Sequence, residues 1–261
     1  MKPIKIIAVL CSLFLILTVI TGCNNKSETE PSPRTSVSIL FIGNSLTGVG
    51  DLPKQLTLLS RMYGIDIART AITPGGAALA GSKAYAIKIM QENEFDYVVM
   101  QDLGSPSPED IKELCDAARE NGAQPVLYNP TWITLDGKPD KQAQKHYTAA
   151  YEHQAKENDA ILANAADAWI YAYDKLSGIS LYAEDNLHPS TQGAYFTACV
   201  FASTLFDLEI KHTSKENEYN GKKALQLGKA AWEFSSYYKE NGVSPEKNVP
   251  APKSTNKKVS D

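Results

Sequence analysis

The chain has 261 residues, of which 43% are hydrophobic and 21% are charged, and its formal net charge is -4. This ordinary globular composition excludes a fully disordered, collagen-like or low-complexity protein. The acidic balance and the lack of a long basic run argue against nucleic-acid binding, and four cysteines are too few for a disulfide scaffold.

The N-terminus has the pattern of an export signal. Lys2 and Lys5 precede an apolar stretch at residues 6–20, in which only Ser12 and Thr18 are polar. These 15 residues are fewer than the roughly 20 that a membrane-spanning helix needs. The pattern therefore favours a signal peptide over a core helix.

The residues after this stretch indicate the type of signal. Ile20-Thr21-Gly22-Cys23 resembles the bacterial lipobox, in which the chain is cut before the cysteine and lipid is attached to its sulfur. The resemblance implies a signal peptide at residues 1–22, a lipidated Cys23, and a mature protein held outside the cytoplasm on a bacterial membrane. The alternative is an ordinary secretory signal or a membrane anchor with an incidental cysteine.

A folded domain is predicted at residues 37–241, between a flexible polar tether at 23–36 and a disordered polar tail at 242–261. Within it, short β-branched runs alternate with helical stretches, which is typical of a parallel sheet covered by helices. Strands are predicted at 37–42, 65–72, 95–100, 125–128 and 160–164, and helices at 52–63, 77–93, 108–121, 139–158, from 165 to about 176, at 191–206 and at 221–238. We therefore predict the α/β class, as a three-layer α/β/α sandwich with a mainly parallel, flavodoxin-like sheet of five strands.

Four polar segments lie where ligands gather in such folds, at the carboxyl ends of strands. They are Gly43-Asn44-Ser45-Leu46-Thr47 after the first strand, Thr73-Pro74-Gly75-Gly76 after the second, Gln101-Asp102 after the third, and Asp185-Asn186-Leu187-His188-Pro189-Ser190 before a late apolar helix.

Together these segments resemble the SGNH (GDSL-type) hydrolases, over about residues 39–206. That family has a Ser in a G-D-S-like block after the first strand, a Gly after the second, an Asn after the third, and D-x-x-H before the last helix. FIGNSLT, PGG and DNLHPS match the first, second and last blocks. The resemblance implies Ser45 as nucleophile, His188 as general base and Asp185 as the group that orients the imidazole, in an acyl-enzyme mechanism without metal or cofactor.

The resemblance also implies an oxyanion hole made by the backbone N–H groups of Ser45 and of Gly75 or Gly76. Two positions depart from the family pattern. Asn44 stands where the family has Asp, and Gln101 ends the third strand where the family has G-x-N-D. The side-chain amide of Gln101 is the expected substitute for the family's Asn as an oxyanion donor.

Other interpretations of these residues stay open. Ser45 is also compatible with a helix cap or a phosphate-cradling loop, and Gly75-Gly76 with a simple turn. His146 and His153 are seven residues apart on one predicted helix, too far to share a metal, so we expect them on the surface. His212 is expected in a loop, and no Cys or His cluster has zinc spacing.

The remaining notable side chains have structural interpretations. Cys115 and Cys199 fall on helices that we expect on opposite faces of the sheet, which predicts two buried thiols and no disulfide. Trp132, after the fourth strand, either lines the substrate cleft or packs its own loop. Trp169, Tyr171 and Tyr173 are predicted to be core residues.

The sequence thus predicts a lipid-anchored serine ester hydrolase that removes acetyl or other small acyl groups from carbohydrate or cell-envelope substrates. The alternative, from another class, is a non-catalytic lipoprotein that binds a sugar or glycan in the same cleft. In either case the expected partners are a glycan or small ester and, through Cys23, a membrane.

Overall fold

The computed structural model describes residues 35–131, 134–213, 215, 219–242 and 244. The predicted signal peptide, Cys23 and Trp132 lie outside these residues, as do most of the predicted tether and tail. Thr35 and Ser36, which the sequence pattern assigns to the tether, instead begin the first strand. Within the described ranges, no helix combines the length and apolarity needed to cross a membrane.

Five parallel strands form the central sheet. They are β1 (Thr35–Ile42), β2 (Ile65–Ile72), β3 (Tyr97–Met100), β4 (Gln124–Tyr128) and β7 (Ile161–Ala163), in the spatial order β2-β1-β3-β4-β7. This order confirms the predicted flavodoxin-like sheet. A separate antiparallel pair, β5 (Thr134–Leu135) and β6 (Lys138–Pro139), was not predicted.

Helices follow or connect these strands. They are α1 (Ser45–Gly48), α2 (Leu52–Arg61), α3 (Leu79–Glu92), α4 (Pro108–Glu120), α5 (Lys141–Glu157), α6 (Ala165–Lys175), α7 (Thr191–Phe206) and α8 (Lys222–Asn241). The short helix α1 was not predicted. Helix α5 begins two residues later than expected because Pro139 pairs in β6 and the Asp140 side chain caps the helix, accepting two backbone N–H groups.

The sheet is covered on both faces: in β1, β3 and β4, consecutive buried side chains point alternately to its two sides. In β1, Ile39 and Phe41 belong to a core shared with α2, α6, α7 and α8, whereas Leu40 and Ile42 belong to a second core shared with α3, α4 and α5. All four side chains are 0% exposed. The result is the predicted three-layer α/β/α sandwich.

The two described cysteines lie on opposite faces of the sheet, as predicted. Cys199 of α7 belongs to one core and Cys115 of α4 to the other, and both are free and buried. Burial raises the pKa of the Cys115 thiol to about 11 and that of Cys199 to about 12. Both therefore behave as small apolar side chains.

The strand order also locates the crevice where a ligand site forms. From β1 the chain moves outward to β2 and then returns to β3 on the other side of β1. The chain after β1 leads to α2 on one face of the sheet, whereas the chain after β3 leads to α4 on the other face. The crevice therefore opens between the carboxyl ends of β1 and β3.

Candidate active site

Ser45 is presented by a tight turn at the end of β1. Asn44 caps α1, its side-chain oxygen accepting the N–H of Leu46 at 3.0 Å, so that Ser45 is the first helical residue. A Cβ on Gly43 would lie 2.6 Å from Oγ1 of Thr47 and 2.7 Å from Oε1 of Gln101. Only glycine fits at this exit from the strand, which explains the G-x-S pattern.

His188 lies on a loop that folds back on itself before α7. An antiparallel bridge joins Tyr182 to Pro189, and the N–H of Ala183 donates to the carbonyl of His188 at 2.8 Å. At the loop's tip Asn186 has a left-handed backbone, with φ of 55°, a conformation that Asn tolerates better than most residues. The loop thus brings the side chains of Asp185 and His188 next to each other.

The carboxylate of Asp185 is held by three donors of its own loop. Its Oδ1 accepts the N–H groups of Leu187 and His188, each at 3.0 Å, and its Oδ2 lies 2.6 Å from Nδ1 of His188. The imidazole hydrogen bond, followed by those from the two backbone N–H groups, lowers the pKa of Asp185 to about 2. Asp185 is therefore ionised at neutral pH and requires the imidazole proton on Nδ1.

The other ring nitrogen faces the serine. Nε2 of His188 lies 2.9 Å from Oγ of Ser45, although the two residues are 143 positions apart in the chain. With the proton on Nδ1, Nε2 presents its lone pair and accepts the hydroxyl proton of Ser45. The structure thus brings Asp185, His188 and Ser45 into one hydrogen-bonded chain that can activate a nucleophile.

The loop after β2 lies beside the Ser45 turn. Thr73 packs against Gly48, and the carbonyl of Ala77 accepts a hydrogen bond from Nδ2 of Asn44 at 3.2 Å. Between these contacts, a turn closed by the N–H of Ala77 on the carbonyl of Pro74 at 3.3 Å places Gly76 at φ 70°. This backbone explains the glycine there.

Three backbone N–H groups near this point donate to no acceptor within the described part of the chain. They belong to Ser45, Gly75 and Gly76, the positions expected to form the oxyanion hole. Gly75 and Gly76 are exposed, and apart from their chain neighbours no described atom lies within 4 Å of the position that a Cβ would take. Their N–H groups are thus open to a ligand.

Gln101 does not adopt the predicted orientation. Its Oε1 accepts the N–H of Asn44 at 3.1 Å and the hydroxyl of Thr47 at 2.8 Å, while its Nε2 donates to the carbonyl of Asp102 at 2.9 Å. The side chain is 1% exposed. The expectation that its amide donates to the oxyanion is therefore wrong, because the amide is committed to the protein interior beneath the turn.

The hairpin of β5 and β6 supports the histidine loop, a role that the sequence reasoning missed. Oγ1 of Thr134 donates to the carbonyl of Asn186 at 3.0 Å. The hydroxyl of Tyr173 donates to the carbonyl of Gly137 at 3.4 Å and accepts the N–H of Leu181 at 3.0 Å. The signal was Asp136-Gly137, whose φ values of 53° and 69° match the two-residue turn that Asp-Gly favours.

The other singled-out residues lie away from this centre. His146 and His153 are exposed on α5, and His212 is exposed in a loop, its ring stacked on Tyr63. Trp169 and Tyr171 are buried as predicted, and Tyr173 is partly buried. No group of three or more potential metal ligands is found in the described ranges.

Comparison with known proteins gives structural relatives only. No family model matches the sequence, and no curated protein is significantly similar to it. A candidate SGNH hydrolase from Slackia heliotrinireducens is 26% identical with a TM-score of 0.54, the match covering 66% of this chain and all of that one.

Two further solved structures share the fold at lower identity. A DUF4886 family protein from Bacteroides uniformis is 16% identical with a TM-score of 0.60, covering 83% of this chain and 98% of its own. An acetyl-xylooligosaccharide esterase from Geobacillus stearothermophilus is also 16% identical, with a TM-score of 0.51 and coverages of 69% and 99%. The chain therefore has the fold of SGNH hydrolases, as the sequence motifs implied.

Proposed function

We propose that this protein is a serine ester hydrolase in which Ser45 is the nucleophile, His188 the general base and Asp185 the residue that orients the imidazole and stabilises its protonated form. The observation that carries the proposal is the continuous hydrogen-bonded chain from Asp185 through His188 to Ser45, with distances of 2.6 and 2.9 Å. A helix cap or a phosphate loop requires no such chain.

The chemistry follows from these contacts. Nε2 of His188 takes the proton of Ser45 as Oγ bonds to the acyl carbon, and the new oxyanion faces the N–H groups of Ser45 and of Gly75 or Gly76. Collapse of the tetrahedral intermediate breaks the ester bond, and His188 returns the proton to the leaving alcohol. Water then attacks the acyl-enzyme by the same steps and releases the carboxylic acid.

For the substrate we propose an acetyl or other small acyl ester of a carbohydrate or cell-envelope polymer. The acetyl-xylooligosaccharide esterase that shares the fold supports this class. The signal-like N-terminus supports it as well, since lipidation of Cys23 would hold the enzyme outside the cytoplasm, where such polymers are found.

A fluorophosphonate probe tests the proposal directly, because it reacts with activated serines. The expected result is labelling of the wild-type protein, with no labelling of Ser45→Ala or His188→Ala. Ser177→Ala, a change at an exposed loop serine, serves as the matched control and labels normally. Turnover of p-nitrophenyl acetate and release of acetate from acetylated xylo-oligosaccharides then define the substrate.

The alternative, a non-catalytic glycan-binding lipoprotein, makes the opposite prediction. Folded wild-type protein that neither labels nor releases acetate, and behaves like Ser45→Ala in both assays, would remove the hydrolase proposal. Binding of the same oligosaccharides without turnover would then favour the binding function.

A further inference from the structure

We propose that Gln101 is a positioning residue for the oxyanion hole: its side-chain carbonyl fixes the Ser45 turn, and it makes no contact with the substrate. The inference rests on the proposed function. It assigns a role to the position at which this chain departs most from the SGNH pattern.

The carbonyl of Gln101 binds both ends of the turn that carries Ser45. It accepts the backbone N–H of Asn44, immediately before the serine, and the hydroxyl of Thr47, two residues after it. The amide nitrogen donates to the carbonyl of Asp102, in the segment that directly follows β3. Because the side chain is 1% exposed, these bonds do not compete with water. The turn is therefore locked to the end of β3.

Asp102 anchors the second loop from the same strand. Its Oδ1 accepts the N–H of Leu79, the first residue of α3, at 3.1 Å. Helix α3 has no side-chain cap of its own, since Ala78 occupies that position. The hydroxyl of buried Tyr151 holds the Asp102 peptide, accepting its N–H at 3.1 Å and donating to its carbonyl at 2.9 Å. The loop that contains Gly75 and Gly76 is thus fixed at its far end.

Asn44 joins the two loops directly. While its Oδ1 caps α1, its Nδ2 donates to the carbonyl of Ala77, one residue beyond Gly76. The N–H groups expected to bind the oxyanion therefore lie on segments tied to each other and to β3. Oxyanion stabilisation depends on donors that are already oriented before charge develops. Loosening the anchor should lower kcat while leaving ground-state binding of the ester unchanged.

The experiment compares Thr47→Val and Gln101→Met in turnover of p-nitrophenyl acetate and in binding of methylboronic acid, which forms a tetrahedral adduct with an activated serine. Removing a whole oxyanion donor costs about 10²–10³ in kcat, so we expect a misplaced one to cost about 10-fold in Gln101→Met and about 3-fold in Thr47→Val. KM should stay within about 2-fold, and boronate affinity should fall in parallel with kcat. Thr47→Ser, which restores the hydroxyl, should recover most of the lost rate.

A matched control separates positioning from general loss of stability. Thr57→Val makes the same change at a buried threonine of α2, whose hydroxyl bonds to the carbonyl of Pro53, and should leave kcat unchanged. The double variant Thr47→Val/Gln101→Met should be no slower than Gln101→Met alone, because both remove one interaction. If Gln101→Met does not fold, the Thr47→Val and Thr47→Ser pair decides alone.

The outcomes distinguish this inference from the proposed function. Wild-type protein that does not turn over ester overturns both. An active wild type in which Thr47→Val retains full kcat, or in which the two substitutions multiply, overturns the inference alone, because a direct donor would act independently of Thr47.

Discussion

Oδ2 of Asp185 lies 2.6 Å from Nδ1 of His188, within a single loop of the chain. Replacing Asp185 by Asn places an N–H donor against Nδ1, which favours the other imidazole tautomer and turns an N–H toward Ser45. In a buried triad this change costs about 10⁴-fold in kcat. The Asp185 side chain is 50% exposed, so we expect a smaller loss, of about 10²-fold or more.

Steady-state turnover of p-nitrophenyl acetate checks this prediction, with Asp174→Asn as control. Asp174 pairs with Lys141 on the surface and should be neutral to activity. Near-normal kcat in Asp185→Asn would remove Asp185 from the mechanism.

The depressed pKa of Asp185 also predicts how stability responds to acid. The folded-state pKa is about 2, below the ordinary 3.8, so the carboxylate stabilises the fold fully above the ordinary value. That stabilisation is lost as the pH falls through the folded value. Between pH 5 and about pH 2 the wild type should lose unfolding free energy more steeply than Asp185→Asn. Denaturant titrations at several pH values measure this, and parallel curves for the two proteins would contradict it.

Asn44→Asp should lower the proposed activity, although it installs the residue that SGNH hydrolases carry before the serine. Asn44 is 0% exposed and donates from Nδ2 to the carbonyl of Ala77. The carboxylate introduced by Asn44→Asp would place a charged oxygen against the carbonyl oxygen of Ala77, and neither can donate. The protonated carboxyl, by contrast, can donate a hydrogen bond to that carbonyl. We expect kcat to fall by about 10-fold, because the carbonyl of Ala77 loses its donor and faces a buried carboxylate instead.

The pH profile provides the check. The rate of Asn44→Asp relative to wild type should rise as the pH is lowered and the new carboxyl takes up a proton. A constant ratio across the pH range would mean that the Ala77 contact does not matter.

Thr134→Val should loosen the histidine loop without touching Ser45. The substitution removes the hydroxyl that donates to the carbonyl of Asn186, and a hydrogen bond contributes about 1 kcal/mol, or about 5-fold in a local equilibrium. We expect kcat to fall by up to about 5-fold with KM unchanged. Thr134→Ser keeps the hydroxyl and should retain the rate; equal activities of the Val and Ser variants would contradict the role of the hairpin.

Gly193→Ala should destabilise the fold at the base of the same loop. A Cβ at Gly193 would lie 2.0 Å from the carbonyl oxygen of Leu181 and 2.8 Å from the Trp169 ring. The backbone cannot move aside as a flexible side chain does. We therefore expect the free energy of unfolding to fall by about 1–3 kcal/mol or more. Gly81 lies in α3 with open space around it, so Gly81→Ala should instead raise the free energy of unfolding by about 0.5–1 kcal/mol. Urea unfolding of both variants measures the contrast, and a stable Gly193→Ala would refute the close approach.

The fold was largely predictable because its signals are local. The predicted second strand at 65–72 and the helix at 191–206 match β2 and α7 to the residue. The inner strands β1, β3 and β4 are nearly continuous apolar runs because they are buried on both faces. Ser107 with Pro108, and Ser190, mark the starts of α4 and α7. Helix α1 and the hairpin were missed because elements of four and two residues have no periodicity to detect.

The sequence predicted which side chains of the candidate site come together, but not the orientation of every one. Ser45, Asp185 and His188 were identified from short motifs, and the structure brings them within hydrogen-bond distance. The direction of the Gln101 amide was not predictable, because its carbonyl bonds to residues 57 and 54 positions away. The orientation of a buried amide depends on which donors around it the rest of the fold leaves without an acceptor.

The separation of 143 residues between Ser45 and His188 has a consequence for the order of events during biosynthesis. A nascent chain that has emerged through β4 already contains the serine turn, its Gln101 anchor and the glycine loop, but no base. Contacts of such long range form late in folding. The proposed hydrolytic activity can therefore arise only after the His188 loop has packed beside the Ser45 turn, so an incomplete chain carries an unactivated serine hydroxyl.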